Sequence, residues 1–341
     1  MQTVKYKIDV LDLVDDEFDT YGEHDYDFFD LEIEGQPSAD LILCKYSDFD
    51  SVVELFFTNL FNYIYYCGEF DTIKDNPVFQ MCLKEFFKKT SLSSGKLANT
   101  VQNKYSIIKN INELEFNNVV IRIKDIKNHY KNKYISLYDN IRDNLAKDIL
   151  IENDIHLCPY CQRNYVNVIT NKDDEDFVIK PDLDHFYDKA KYIFLAGTLE
   201  NLIPSCSVCN SRLKGSKDFY KNKHIHPLVN NIIDKVTFNY IGEDNTIFIE
   251  EKCLLDTIEK ASLNTFRIEE IYNTHKEVLS NIENKYHHYN KAKRTSLSKL
   301  LPSLDNREII RIVFYEYFYM DKNKEPMYKM KQSLFNKIVK I

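Results

Sequence analysis

Two Cys-x-x-Cys pairs in the middle of the chain have the residue types and spacing of a metal site. The first pair is Cys158 and Cys161, and the second is Cys206 and Cys209, with 44 residues between the pairs. Four thiolates at this spacing close a tetrahedral zinc site, and a long insertion between half-sites is tolerated because loop-closure entropy grows slowly with length. We expect a structural zinc, since four thiolates leave no open coordination position. Buried thiols without a metal, or a redox-active pair, are the alternatives.

Polar residues between and just after the cysteine pairs have the chemistry needed to hydrolyse a phosphodiester. Asp184 directly precedes His185, and neighbouring side chains at the end of a strand project to opposite sides. His185 can then take a proton from water near neutral pH. Asp184 and the amide oxygen of Asn210 are the oxygen ligands that Mg²⁺ or Mn²⁺ prefers. The alternative for His185 is a structural histidine whose hydrogen bonds are satisfied.

Asn201 precedes the apolar pair Leu202-Ile203, which predicts a strand. We expect its side chain to tie the preceding loop to the strand that carries His185, and so to fix the orientation of the imidazole. This role supports the site without taking part in the chemistry. A simple turn residue is the alternative.

Three basic residues follow the last cysteine: Arg212, Lys214 and Lys217. On a helix beside the site they would contact the phosphate backbone of a nucleic acid, and the alternative is solvated surface charge. His224 and His226 flank Ile225 before Pro227 and either reach the site or are ordinary turn residues.

A short set of elements must position these residues. Apolar runs predict one extended stretch through 177–179 and 183–186 and a second strand at 202–204. A helix is expected over 207–217. The predicted order is therefore strand, long loop, strand and helix.

The flanking regions are predicted to be mainly helical, which makes the whole chain an α+β protein with three regions. The first region, 1–150, is acidic and begins with strands at Val4–Val10 and Ala39–Lys45, followed by helices over 51–90 and 97–150. The second, 151–227, carries the cysteines and the polar residues. The third, 228–341, begins with a hairpin over 236–249 and continues as helices with a basic end.

The segment between the cysteine pairs resembles the HNH nuclease motif, also called the ββα-metal fold. Asp184-His185 matches its first element, Asn201 its middle asparagine and Asn210 its last position, and the cysteines match the zinc-stapled subset of the family. The run from Leu183 to Tyr192 is also similar to HNH subunits encoded beside ATPases in bacterial anti-phage systems such as Septu. Those subunits often have proline where this chain has Asp188.

The resemblance implies a DNA endonuclease in which His185 is the general base and a single divalent metal, held by Asp184 and Asn210, contacts the scissile phosphate. It also implies an ATPase partner, and because the chain contains no Walker-type phosphate loop, any ATP dependence must come from that partner. The alternative is a non-catalytic, zinc-stapled nucleic-acid-binding or adaptor subunit. Whether the substrate is DNA or RNA, and the oligomeric state, stay open.

Charge is distributed unevenly along the chain. Residues 1–50 contain 15 acidic and 3 basic residues, whereas residues 291–341 contain 12 basic and 5 acidic residues. We expect the acidic end to dock a protein partner and the basic end to hold DNA, and the alternative is that both ends pack intramolecularly. We expect a cytoplasmic protein without a membrane span, because no signal-peptide core and no long apolar run is present.

Overall fold

Within the described residues, most positions are helical and the strands form three two-stranded antiparallel sheets, which confirms a mainly helical α+β fold. The computed structural model describes residues 41–66, 84–85, 87–88, 113–145, 149–151, 153–170, 177–251 and 255–339. None of the helices in these ranges is long and apolar enough to cross a membrane.

Two long helices form the N-terminal part of the core. Helix α1 (Phe49–Tyr66) follows a short 3-10 turn, and α2 (Glu113–Asn140) continues into a wider helical turn over Ile141–Leu145. Each helix places apolar residues at intervals of three and four, so that they share one face. The fully buried residues on these faces include Phe49, Val53, Phe56, Leu60, Ile123, Ile126 and Ile141.

The order strand, long loop, strand and helix is confirmed, but the expected single extended stretch through 177–186 is two strands in two sheets, and the helix expected over 207–217 spans Val208–Lys214. Strands β1 (Ile169–Thr170) and β2 (Phe177–Ile179) pair with each other, and β3 (Asp182–His185) pairs antiparallel with β4 (Leu202–Ser205). In the second sheet, Asp184 lies opposite Ile203 and His185 opposite Leu202. Helix α3 (Val208–Lys214) follows β4 and is wider than an α-helix, since its last bond joins Gly215 N to Asn210 O, five residues back, at 2.8 Å.

The loop between β3 and β4 packs against the N-terminal helices. Phe194, in a 3-10 turn of this loop (Ile193–Leu195), stacks on Phe56 of α1 with ring centroids 4.0 Å apart. Gly197 lies so close to α2 that a Cβ atom there would stand 2.5 Å from the Leu137 side chain. The first and second predicted regions therefore share one core at this loop.

One predicted strand is wrong. Leu41 and Ile42, within the expected strand Ala39–Lys45, are helical, and Leu43 lies in a turn. Leu41 and Ile42 are buried, so the apolar run does mark the core. A short apolar run is compatible with either a strand or a helix, because periodicity needs more residues to show. The strand expected at Val4–Val10 lies outside the described residues.

The predicted C-terminal hairpin is confirmed as β5 (Val236–Ile241) and β6 (Thr246–Glu251), preceded by a 3-10 turn over Ile232–Lys235. Helices follow, as expected: α4 (Thr257–Thr265), α5 (Ile268–Asn273), α6 (Lys276–His288), α7 (Lys291–Leu300), α8 (Asn306–Val313), α9 (Tyr315–Phe318) and α10 (Tyr328–Val339). Strand β5 and helix α6 both pack against α10.

Candidate functional site

The four cysteines of the two pairs come together. All four Sγ atoms lie within 4.8 Å of one another, and three of the side chains, all except Cys206, are buried. A tetrahedral site with metal–sulfur bonds near 2.3 Å requires sulfur–sulfur distances of ~3.8 Å. The sulfurs are free thiols and supply the donor set that zinc prefers. The cluster therefore fits a zinc ion, as its spacing predicts.

Each cysteine pair sits on a tight turn that the backbone stabilises. The Cys158 carbonyl accepts bonds from Cys161 N at 3.2 Å and from Gln162 N at 2.7 Å, and Gln162 adopts a left-handed conformation with φ of 46°. The Cys206 carbonyl accepts from Asn210 N at 3.0 Å, which begins α3. The cluster thus joins the turn at the first pair to the end of β4 and the start of α3.

Asp184 is buried and already bonded through both carboxylate oxygens. Its Oδ2 accepts from Tyr160 Oη at 2.6 Å, and its Oδ1 accepts from Lys214 Nζ at 2.9 Å. Burial raises the pKa of Asp184, while Lys214 and Tyr160 act in the opposite direction. The carboxylate of Asp184 is therefore compensated by a cation of the protein itself.

Lys214 differs from its expected role as a surface phosphate contact. Its side chain is 2% exposed, and its ammonium donates to Asp184 and to the His185 carbonyl oxygen at 2.6 Å. The predicted surface contact is wrong for Lys214, because its position on α3 directs its side chain toward β3. Arg212 and Lys217 are exposed, as a nucleic-acid contact requires.

Asn210 bonds with Asp182, a residue that the sequence pattern did not single out. The Asn210 amide nitrogen donates to Asp182 Oδ2 at 3.1 Å, which leaves the amide oxygen as an acceptor. Asp182 and Asp184 lie on the same face of β3 because side chains alternate along a strand, and that period could have indicated Asp182. Oxygen ligands for a hard cation are present on this face, but the fit is partial, because Asp184 is paired with Lys214.

His185 lies on the opposite face of β3 in its neutral form. Its Nε2 lies 3.0 Å from the Ala196 carbonyl oxygen, so Nε2 carries the proton and Nδ1 carries the lone pair. Nδ1 makes no hydrogen bond with any described residue. Burial, reinforced by the charges of Lys189 and Lys214, lowers the pKa of His185 to about 3. The imidazole can therefore accept a proton at Nδ1.

Asn201 ties the loop to the strand that carries His185, as expected. Its side chain is fully buried, its Oδ1 accepts from Tyr187 N at 2.7 Å, and its Nδ2 donates to the Tyr187 and Leu195 carbonyl oxygens at 3.1 and 2.9 Å. These bonds fix the backbone just after His185. The predicted supporting contact is confirmed.

His224 and His226 bond with groups of the interior. His224 stacks on Phe219 at 3.8 Å, with its Nε2 2.8 Å from Thr265 Oγ1. His226 donates from Nε2 to the Glu200 carbonyl oxygen at 2.8 Å, and burial lowers its pKa to about 4. Both imidazoles join 219–226 to neighbouring elements, so their contacts are those of structural residues.

Tyr138 of α2 covers His185. The two ring centroids are 4.5 Å apart, and the ammonium of Lys189 lies 4.0 Å from the centroid of the same tyrosine. No local pattern singles out Tyr138, because it lies upstream of the cysteine pairs and fits an ordinary apolar position of a helix. Helix α2 is thus part of the surroundings of the candidate base.

No protein-family model, curated protein or solved structure matches this chain. A function for it therefore has to be argued from its own residues and their geometry.

Proposed function

We propose that the protein is a metal-dependent endonuclease that hydrolyses phosphodiester bonds of DNA. The observation that carries this proposal is the placement of His185: neutral, held through Nε2 by Ala196 with Nδ1 left as an acceptor, and directly next to Asp184 on β3. His226 has the same hydrogen-bond state, so it is the position beside Asp184 that distinguishes His185. The adjacent Asp184 and the tethered Asn210 add the oxygen donors that phosphodiester hydrolysis uses.

In the proposed reaction, His185 Nδ1 takes a proton from a water molecule as the water oxygen bonds to phosphorus. The ester bond between phosphorus and the leaving oxygen breaks, and that oxygen takes a proton from solvent. Burial makes His185 a weak base on its own. A nearby phosphate anion favours the imidazolium form and so strengthens the base when substrate is present.

A divalent cation belongs to the proposal, with Asp184 and Asn210 as its ligands. When bound, it would supply positive charge to the phosphoryl and leaving oxygens. Asp182 holds the Asn210 amide in place for this purpose. The zinc would act structurally, by fixing α3 and the turn at the first cysteine pair.

We also propose that the nuclease acts in anti-phage defence with a separate ATPase. The support is the resemblance of the cysteine-rich segment to such subunits, together with the absence of a Walker-type loop from the sequence. An ATP requirement would then have to come from the partner.

A non-catalytic, zinc-stapled binding subunit is the second candidate, and one observation favours it. Asp184 is 4% exposed and paired with Lys214, so its carboxylate is not presented to a metal in this arrangement. A binding subunit needs no free metal ligand.

Plasmid cleavage in Mg²⁺ or Mn²⁺ distinguishes the two candidates. We expect His185→Ala to reduce the cleavage rate by ~10²–10⁴-fold, which is the usual contribution of a general base, with zinc content and circular dichroism unchanged. His287→Ala, at an exposed position of α6, is the matched control and should cut like wild type. Binding of DNA without cleavage by the wild-type protein, alone and with a co-purifying ATPase, would favour the binding subunit. Parallel reactions with RNA test the choice of substrate.

A further inference from the structure

Lys189 places a half-buried ammonium group next to the candidate base without a carboxylate partner among the described residues. Its Nζ lies 4.0 Å from the centroid of the Tyr138 ring, and burial lowers its pKa. Lys191, two residues along the same loop, is different, because it bonds with Asp188 at 3.3 Å and with the Ser216 carbonyl oxygen. The loop therefore carries one ammonium group with a carboxylate partner, that of Lys191, and one without such a partner among the described residues, that of Lys189.

Tyr138 connects Lys189 to His185. The imidazole of His185 contacts the same ring, with centroids 4.5 Å apart and planes inclined by 57°. Contact with an aromatic ring offsets only part of the cost of removing an ammonium from water. The tyrosine thus contacts both the cation and the imidazole, while the charges of Asp139 and Asp188 raise the pKa of Lys189 and offset only part of the effect of burial.

The neighbouring Arg142 does not fill this role. Its guanidinium bonds with Asp139 at 2.9 Å and with Asp143 at 3.0 Å, so its charge is already neutralised. Of the two basic groups over the Tyr138 ring, Lys189 is thus the one without a carboxylate at salt-bridge distance among the described residues. The complementary ligand is an anion with oxygen acceptors that can come close to His185, and a phosphodiester meets this description.

We propose that Lys189 binds a non-bridging oxygen of the scissile phosphodiester, and that Tyr138 positions both Lys189 and His185. This inference rests on the proposed function and extends it, since it makes Lys189 a catalytic residue and α2 a part of the active site. The ammonium would stabilise the negative charge that builds on the phosphoryl oxygens as water attacks.

DNA binding in buffer without added Mg²⁺ or Mn²⁺, where cleavage is not supported and the structural zinc is retained, tests the phosphate contact separately from catalysis. We expect Lys189→Met to weaken binding of a short duplex and to reduce the slope of log affinity against log salt by about one, the value for one lost phosphate contact. Lys191→Met removes the same charge from the same loop and should leave the slope unchanged. A Lys189→Met slope equal to that of wild type overturns the proposal, and so does an equal loss in the two variants.

Single-turnover cleavage tests the catalytic part. We expect Lys189→Met to lose ~10²-fold in rate, and Lys189→Arg to recover part of the loss. Tyr138→Leu should lower the cleavage rate at saturating DNA, whereas Tyr138→Phe, which keeps the ring, should cleave at the wild-type rate. Full activity of Lys189→Met and Tyr138→Leu would remove both residues from the site. If wild type binds DNA through Lys189 but never cuts, the hydrolytic function fails while the phosphate contact stands.

Discussion

At the scale of single residues, the pair formed by Asp184 and Lys214 decides how the strand β3 meets helix α3. Both side chains are almost fully buried, and Lys214 also donates to the His185 carbonyl oxygen. Removing two charges from water costs several kcal/mol for each ion, and their attraction and hydrogen bonds offset this cost. The pair therefore stabilises the fold only while both partners are present.

Lys214→Met should lower the free energy of unfolding by about 3 kcal/mol, because it leaves the Asp184 carboxylate buried without a counter-charge. Urea unfolding of the zinc-loaded protein measures this change. Lys217→Met, at an exposed position of the same segment, should change stability by no more than ~0.5 kcal/mol. The double variant Asp184→Asn with Lys214→Met should lose less stability than the summed losses of the two single variants, because neither charge is then left buried alone. Equal stability of Lys214→Met and Lys217→Met would show that the buried pair does not form.

The residue types of the site were predictable where their spacing carries the signal. The cysteine tetrad follows from two short repeats, and the tie made by Asn201 follows from its place before a strand. Lys214 and Lys189 could not be told apart by sequence, because both are lysines near the motif and only the fold makes one internal and the other unpaired. Tyr138 depends on a contact between distant segments, which local pattern does not encode.

At the scale of elements, α3 depends on its surroundings. It is a seven-residue helix with widened hydrogen bonding, and helices this short are unstable in isolation. It is held at its start by Cys206 and Cys209 and at its end by Lys214. Its position was predicted as 207–217, but it ends at Lys214, where Gly215 adopts a left-handed conformation with φ of 51°, and neither this end nor the width was predicted.

The purified protein should contain about one zinc ion per chain, and Cys206→Ser should lose it. Binding of metal and folding are coupled at such sites, so loss of zinc should unfold the segment around α3. Elemental analysis gives the zinc content, and hydrogen exchange of the α3 amides reports the folding. Cys44→Ser, at a half-buried thiol outside the tetrad, is the control and should retain zinc. Protected α3 amides in a zinc-free preparation would contradict this expectation.

At the scale of the whole molecule, the N-terminal helices hold the loop that follows His185. Asp50 of α1 accepts from Tyr187 Oη at 2.6 Å and from Lys223 at 2.6 Å. Glu200 accepts from the Tyr46 backbone at 2.7 Å and pairs with Lys45. Among the described residues, the ion pairs Asp50–Lys223 and Lys45–Glu200 thus join the acidic end to the central region.

The basic end should contribute to DNA binding through Lys291 and Lys293. The triple change to glutamine of Lys291, Lys293 and Arg294 should lower the salt slope of DNA affinity by about two, not three. The reason is that Lys291 and Lys293 are exposed, whereas Arg294 is half-buried and its guanidinium donates to the Tyr289 carbonyl oxygen at 2.6 Å. A triple variant of Lys260, Lys276 and Lys322 removes the same charge elsewhere and should keep the slope. An unchanged slope in the first variant would remove α7 from the DNA surface.

Because Phe194 packs on Phe56 and Tyr138 packs on His185, the cysteine-rich segment cannot be moved intact to another protein by itself. A fragment cut to the cysteine-rich segment would keep the four cysteines but would expose the Phe194 ring to water and leave His185 uncovered. Such a fragment would tend to aggregate through its exposed apolar surface and would be poorly suited to grafting onto another protein. A useful transplant would have to carry α1 and α2 with it, so the smallest transferable unit of this protein is much larger than the motif that reveals it.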